Sequence, residues 1–114
     1  KSEVLRSHCE DVGTDFEAIT RSMDTTLVCA PTEAEATERL DEIEARLAPI
    51  IGDEEALGRH MALARRVSGP PDKIIERISR YRDVGMSYLN VRFPDAAYDT
   101  SGIELFGREV IGNL

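Results

Sequence analysis

The sequence predicts an α/β fold built on parallel strands, with elements in the order α-β-α-α-α-β-α. Three observations carry this reading. The stretch Pro70–Pro94, PPDKIIERISRYRDVGMSYLNVRFP, reads as a helix, a glycine stop, a strand and a closing proline. Ile74, Ile75, Ile78, Tyr81 and Val84 recur at helical spacing, and Met86–Phe93 is rich in residues that suit a pleated strand. A second strand-like run, Ile19–Ala30, lies far upstream, with a helical stretch between the two. Strands joined through helices pair in parallel by a right-handed crossover, and a parallel strand needs neighbours on both sides. The predicted architecture is therefore larger than the two strands.

Each element has a local reason. Lys1–Val12 reads as a helix with Val4, Leu5, His8, Cys9 and Val12 on one face and Gly13 as its stop. No capping residue precedes Lys1, so the chain is expected to begin inside or just at the start of a helix. Thr14–Ala18 is a turn. In the first strand Arg21 shares a face with Ile19 and Met23, so its alternation is imperfect. Pro31 ends that strand, and Thr32 with Glu35 forms a capping box for a helix over Glu33–Leu47, closed by Pro49 and Gly52. Asp53 caps a shorter helix to about Arg66, with Leu57, Met61 and Ala64 in phase. Ser68–Pro71 is a stiff connection. Asp72 and Glu76 near the start of the next helix, and Arg80 and Arg82 near its end, suit the helix dipole. After the loop PDAAYDT, Ser101 and Glu104 form a second capping box for a helix over Ile103–Leu114 that buries Leu105, Phe106, Val110 and Leu114.

Composition bounds the function. The 114 residues make one domain at most, and 41% hydrophobic with 32% charged residues fits a folded chain. A net charge of −8 argues against nucleic acid, which needs clustered Lys and Arg, and against an anionic membrane surface. No apolar run is long enough to span a bilayer, and KSEVLRSHCEDVG does not have the layout of a signal peptide. Cys9, Cys29, His8 and His60 show no metal-ligand spacing, so a reduced pair of small buried thiols in the cytoplasm is expected. No Gly-rich phosphate loop and no nucleophile–base pair is visible. Glu35 with Arg39, and Glu42 with Arg46, read as exposed helical ion pairs. Tyr81 reads as packing, and Tyr98 lies in a loop.

Three blocks resemble one family. VLRSHCEDVGTDFEAI resembles the segment LRRHCEEVGRDPxxI of luciferase-like monooxygenases. SGPPDKIIERISRYRDVGMSYLNVRFPD is similar to their GTPEQVAERLxxYxDAGVDHxxxxFPD, and AAYDTSGIELFGREVIGNL to their closing ELFAREVxPxL helix. The middle, Thr32–Arg66, matches poorly. The pattern lies nearest to members that use coenzyme F420, a deazaflavin; others use reduced FMN. The resemblance implies the C-terminal portion of a (β/α)8 TIM barrel, with Ile19–Leu27 as the seventh strand and Met86–Phe93 as the eighth. Residues 1–114 would be a single partial domain, a fragment of a cytoplasmic oxidoreductase that transfers hydride to or from a small organic substrate. F420 or FMN would be held mainly by the preceding strands, so the fragment is expected to bind no cofactor and to be inactive alone. Ser68–Pro71 stands where the family has Gly-Thr-Pro and reads as scaffold at the barrel's lower end.

In a barrel the active face is the carboxyl end of the strands. The candidates there are Asp24 and Thr26 on the first strand and Asn90 and Arg92 on the second. Asn90 and Arg92 share a face with Met86 and Tyr88, while Ser87, Leu89, Val91 and Phe93 form a more apolar face for the helices. Thr26, Asn90 and Arg92 are thus expected at the rim of a substrate pocket, with Arg92 able to meet a substrate anion or cofactor phosphate. No catalytic, cofactor-binding or metal-ligating residue is assigned. The sheet edges are expected to drive homo-oligomer formation. The alternative reading is a free-standing acidic helical module that binds a protein partner, motivated by the helical middle and the charge.

Overall fold

The computed structural model describes all residues, Lys1–Leu114, as an α/β fold that is mostly helical. The elements are α1 (Ser2–Val12), a 3-10 turn (Phe16–Ala18), β1 (Ser22–Thr26), α2 (Glu33–Ile51), α3 (Glu54–Val67), α4 (Pro71–Asp83), β2 (Tyr88–Arg92) and α5 (Ser101–Leu105). The last helix does not stay α-helical. It continues as a π turn over Phe106–Val110 and a 3-10 turn over Ile111–Asn113. No helix is long and apolar enough to cross a membrane.

β1 and β2 pair in parallel, with Ser22 opposite Tyr88, Asp24 opposite Asn90 and Thr26 opposite Arg92. Both strands are shorter than their sequence signatures. Ile19 and Thr20 fall outside β1 and are exposed. Leu27–Ala30 continues β1 as fully buried chain. The Leu27 N–H still donates to the Arg92 carbonyl, whereas Val28 accepts from the Gly69 N–H at 3.1 Å and Ala30 donates to the Gly69 carbonyl at 3.2 Å. Successive residues of a strand turn their polar groups to opposite edges. Ser68 and Gly69 therefore occupy the edge of the extension that faces away from β2, closing a parallel bridge at Cys29. The connection read as stiff scaffold is a buried third partner of the sheet.

The buried chain at Leu27–Cys29 divides two cores. Leu27 and Cys29 join Val67, Ile74, Ile78, Phe106 and Val110. Val28 points the other way, into Leu40, Ile43, Leu57, Met61 and Ala64 of the α2–α3 hairpin. Leu89, Val91 and Phe93 pack on the first core, and the Phe93 ring meets Phe106 edge-to-face at 5.2 Å. Only 22 of 114 residues are buried, and the molecule is a slab 20 Å thin with a radius of gyration of 16.7 Å. A compact domain of this length has roughly 13 Å. The fold is open, with both edges of β1–β2 unpaired apart from the Ser68–Gly69 bridge.

Helix ends follow the caps, with two exceptions. Gly13 adopts the left-handed conformation after α1, Thr32 accepts from the Glu35 N–H at 3.2 Å, and Asp53 accepts from Glu55 and Ala56. Pro49, expected to end α2, lies inside it. Its ring removes one ladder bond a turn before the end, but Leu47 and Ile51 pack on the second core and Gly52 closes the helix onto Ala48 at 2.9 Å. The Ser101–Glu104 capping box does not form. Thr100 takes the cap position, and Asp99 accepts from the Ser101 N–H at 2.9 Å. Leu114, expected in the core, is exposed, and so are Val4 and Val12 on the apolar face of α1. Gly85 needs its left-handed φ of 86°, and a Cβ there would stand 2.5 Å from the Arg21 guanidinium. That guanidinium and the one of Arg6 stack on Phe16 at 4.3 and 4.2 Å.

Ser68 holds the sheet to α3. Its hydroxyl accepts from the Val28 N–H at 2.8 Å and donates to the Ala64 carbonyl at 2.6 Å. Ser68→Ala leaves a buried N–H without a partner, so it is expected to cost about 1–3 kcal/mol. Urea denaturation of the two proteins measures this directly; an unchanged midpoint would show that the Val28 N–H is satisfied otherwise.

Candidate functional site

Side chains on β1 and β2 separate by face. Leu89 and Val91 lean on the helices, while Ser22, Asp24, Tyr88, Asn90 and Arg92 are exposed on the uncovered face, which Thr26 shares. The pairing thus brings the expected rim residues Thr26, Asn90 and Arg92 onto one polar surface, together with Asp24. Arg92 reaches diagonally across it to Asp24, Nη2 to Oδ2 at 3.4 Å. Both side chains are exposed, and such a pair contributes little to stability.

Thr26 and Arg92, but not Asn90, also line a hollow of about 430 Å³ that runs around the free edge of β1 to α3 and α4. α3 supplies His60, Leu63, Arg66 and Val67 to it, and α4 supplies Arg77 and Tyr81. His60 and Leu63 are three apart and Arg77 and Tyr81 four apart, the spacing that places neighbours on one helix face. Three arginines, Arg66, Arg77 and Arg92, line this hollow together with one carboxylate residue, Asp24. Arg66 and Arg77 were not singled out from the sequence. A signal was nevertheless present: neither has an Asp or Glu three or four residues away on its helix, whereas Arg46, Arg59 and Arg80 each pair with a Glu four residues earlier.

The second polar cluster sits beyond the carboxyl ends of the strands and is centred on Arg39. The expected Glu35–Arg39 pair is absent. Arg39 turns instead to Asp95 at 3.5 Å, to Asp99 at 3.6 Å and to the Ser101 hydroxyl at 3.2 Å. A carboxylate as buried as Asp95, 5% exposed, needs a counterion more than the exposed Glu35 does. The Arg39 Nη1 and Asp95 Oδ2 atoms face each other without hydrogen-bond alignment. Burial pushes the Asp95 carboxyl above the usual carboxylate range, against the pull of Arg39, while the bonds from Ser101 hold Asp99 below it. Burial likewise raises the Cys29 thiol to about 11, so it stays protonated at neutral pH and is no nucleophile. Cys9 and Cys29 are both free and buried. No three His, Cys, Asp or Glu side chains gather as a metal site. Glu42 and Arg46 do pair, at 3.8 Å, and the same Arg46 lies 3.9 Å over the exposed Tyr98 ring. Tyr81 is half-buried and faces the hollow.

The raised Asp95 fixes a pH dependence. An acid whose folded pKa exceeds its ordinary value of 3.8 binds its proton more tightly when folded, so it destabilises the fold as pH rises from 3.8 through the raised value. Asp95→Asn removes that slope. The difference in urea midpoint between wild type and variant is expected to change across that window in the variant's favour as pH rises; parallel profiles would refute the assignment.

Comparison of the chain with protein-family models, with curated proteins and with solved structures finds no match.

Proposed function

We propose that this chain is the C-terminal portion of a (β/α)8-barrel oxidoreductase of the luciferase-like kind, cytoplasmic, acting with F420 or FMN on a small organic substrate. The observation that carries the reading is the division of the β1–β2 pair into an apolar face packed on helices and a polar face left bare. A strand pair taken from a barrel has this appearance, because its outer face meets the helical ring and its inner face meets the other strands and, at the carboxyl end, the substrate. The open edges and the slab-like shape support it, as does the resemblance of the three sequence blocks.

The residues present do not by themselves fit a flavin or a deazaflavin. The sequence holds no Gly-rich phosphate loop, and the cleft with the largest share of hydrophobic lining residues, beside Leu89, Val91 and Phe106, measures about 240 Å³. That is below the roughly 300–1,000 Å³ of small-molecule sites. No step of hydride transfer is therefore assigned to a side chain of this chain. Its part in the activity would be to complete the barrel and to set Thr26, Asn90 and Arg92 at the substrate rim, while the cofactor supplies the redox chemistry.

Titration of F420 and FMN against the 114-residue chain, and against the product of a longer reading frame that contains it, tests the reading. The longer product is expected to bind one of the two and the shorter chain neither. Tight binding by the short chain, or none by the long one, would sink the proposal. Assembly gives a second measure. Unpaired strand edges recruit partners, so the short chain is expected to self-associate in multi-angle light scattering. A stable, well-folded monomer would show that its edges are protected.

A further inference from the structure

We propose that the cleft between α2 and the turn after β2 binds a small organic acid, a single carboxylate carried on an aryl or short alkyl body. The inference is independent of the barrel reading. No residue of β1 or β2 lines this cleft, so no unpaired strand edge opens it, and none of the expected rim residues takes part.

The walls come from three places. α2 gives Arg46, Leu47 and Ile50, the turn after β2 gives Ala97 and Tyr98, and α3 gives His60. Contacts within the chain hold these walls in place. Arg39 ties the turn to α2 through Asp95 and Asp99. The turn itself is closed by the Tyr98 and Asp99 N–H groups, which both donate to the Asp95 carbonyl at 2.9 Å. Arg65 ties α3 to α2 through Asp41 and Glu44. The cleft is thus preformed. Its volume of about 360 Å³ lies within the roughly 300–1,000 Å³ of small-molecule sites. Large apolar groups stand open on both sides of it, Ile50 at 78% and Tyr98 at 70% exposure, and covering them is favourable.

Charge selects the ligand. The chain holds 22 Asp and Glu against 14 Lys and Arg, yet no acid lines this cleft. Its guanidinium is that of Arg46, which lies 3.9 Å over the Tyr98 ring. Stacking fixes the guanidinium plane and leaves edge N–H groups free to bond a carboxylate. The ion pair of Arg46 with Glu42 is long, at 3.8 Å, and exposed at both ends, so an incoming acid competes with it at little cost. One guanidinium balances one negative charge, which suits a monocarboxylate better than a phosphate dianion. Leu47, Ile50 and Ala97 then receive the apolar body.

Isothermal titration calorimetry of the chain with 3-phenylpropionate, and with the uncharged 3-phenylpropanol, tests this. Saturable binding of the acid is expected, with the alcohol about tenfold weaker or more, the scale of one lost charged hydrogen bond. Arg46→Gln should bring the acid down to the level of the alcohol. Ala97→Phe fills the cleft from its exposed wall and should abolish binding of both. Arg59→Gln is the control: it removes the same charge from an exposed arginine of α3 outside the cleft and should leave the affinity unchanged. Circular dichroism checks that each variant folds; should Arg46→Gln unfold, the comparison of acid with alcohol and the Ala97→Phe variant decide without it. No saturable binding of the acid, equal binding of the alcohol, an equal loss with Arg59→Gln, or full binding by Ala97→Phe would overturn the proposal.

Discussion

The parallel pairing of β1 with β2 is the constraint on which the rest of the structure depends. Two strands that run the same way cannot be joined by a tight turn, so the chain must leave the end of β1 and return to the start of β2. α2, α3 and α4 make that return. The route is held in two places: by the ladder itself, and by Ser68 and Gly69, which bond to the edge of the Val28–Ala30 extension. The extension is therefore the most enclosed part of the molecule. Leu27 and Cys29 supply one core and Val28 the other, so a single stretch of backbone sets the position of the α2–α3 hairpin relative to α4 and the C-terminal turns.

Electrostatics arrange what the ladder leaves open. Most cations are absorbed by nearby acids, many of them one helical turn away. Arg39 and Arg65 instead bridge elements. Arg65 joins α3 to Asp41 and Glu44 of α2, which raises its own pKa through those bonds. Arg39 ties α2 to the segment after β2, where Asp95 is buried at a cost that its long contact with Arg39 only partly offsets. The hollow on β1 is the exception, because there the guanidiniums outnumber the acids.

Several expectations failed for one physical reason, competition from partners distant in sequence. Local rules assigned Arg39 to Glu35, yet the buried Asp95 outbids a solvated glutamate. Ser101 was read as a cap, but its hydroxyl accepts from Arg39 while Asp99 caps its N–H. Pro49 was read as a stop, but packing of Ile51 on the second core carries α2 past it to Gly52. The last helix keeps Phe106 and Val110 in the first core while the turn between them widens to a π turn.

By itself the sequence determined the order of elements, the parallel class of the sheet and which face of β2 meets the helices. These follow from periodicity, from Gly13, Gly52 and Gly85 as stops, and from Thr32 and Asp53 as caps, all of which act within a turn or two of backbone. Thr26, Asn90 and Arg92 were legible as neighbours because strand alternation and pairing are nearly local rules. The hollow was not legible. Arg66 and Arg77 line it together only because the crossover brings α3 and α4 to the same side of β1, and no local pattern states which helix faces a crossover brings together. Tertiary structure alone decided that juxtaposition, the burial of Asp95 and the role of Ser68, since each depends on contacts between residues far apart in the chain.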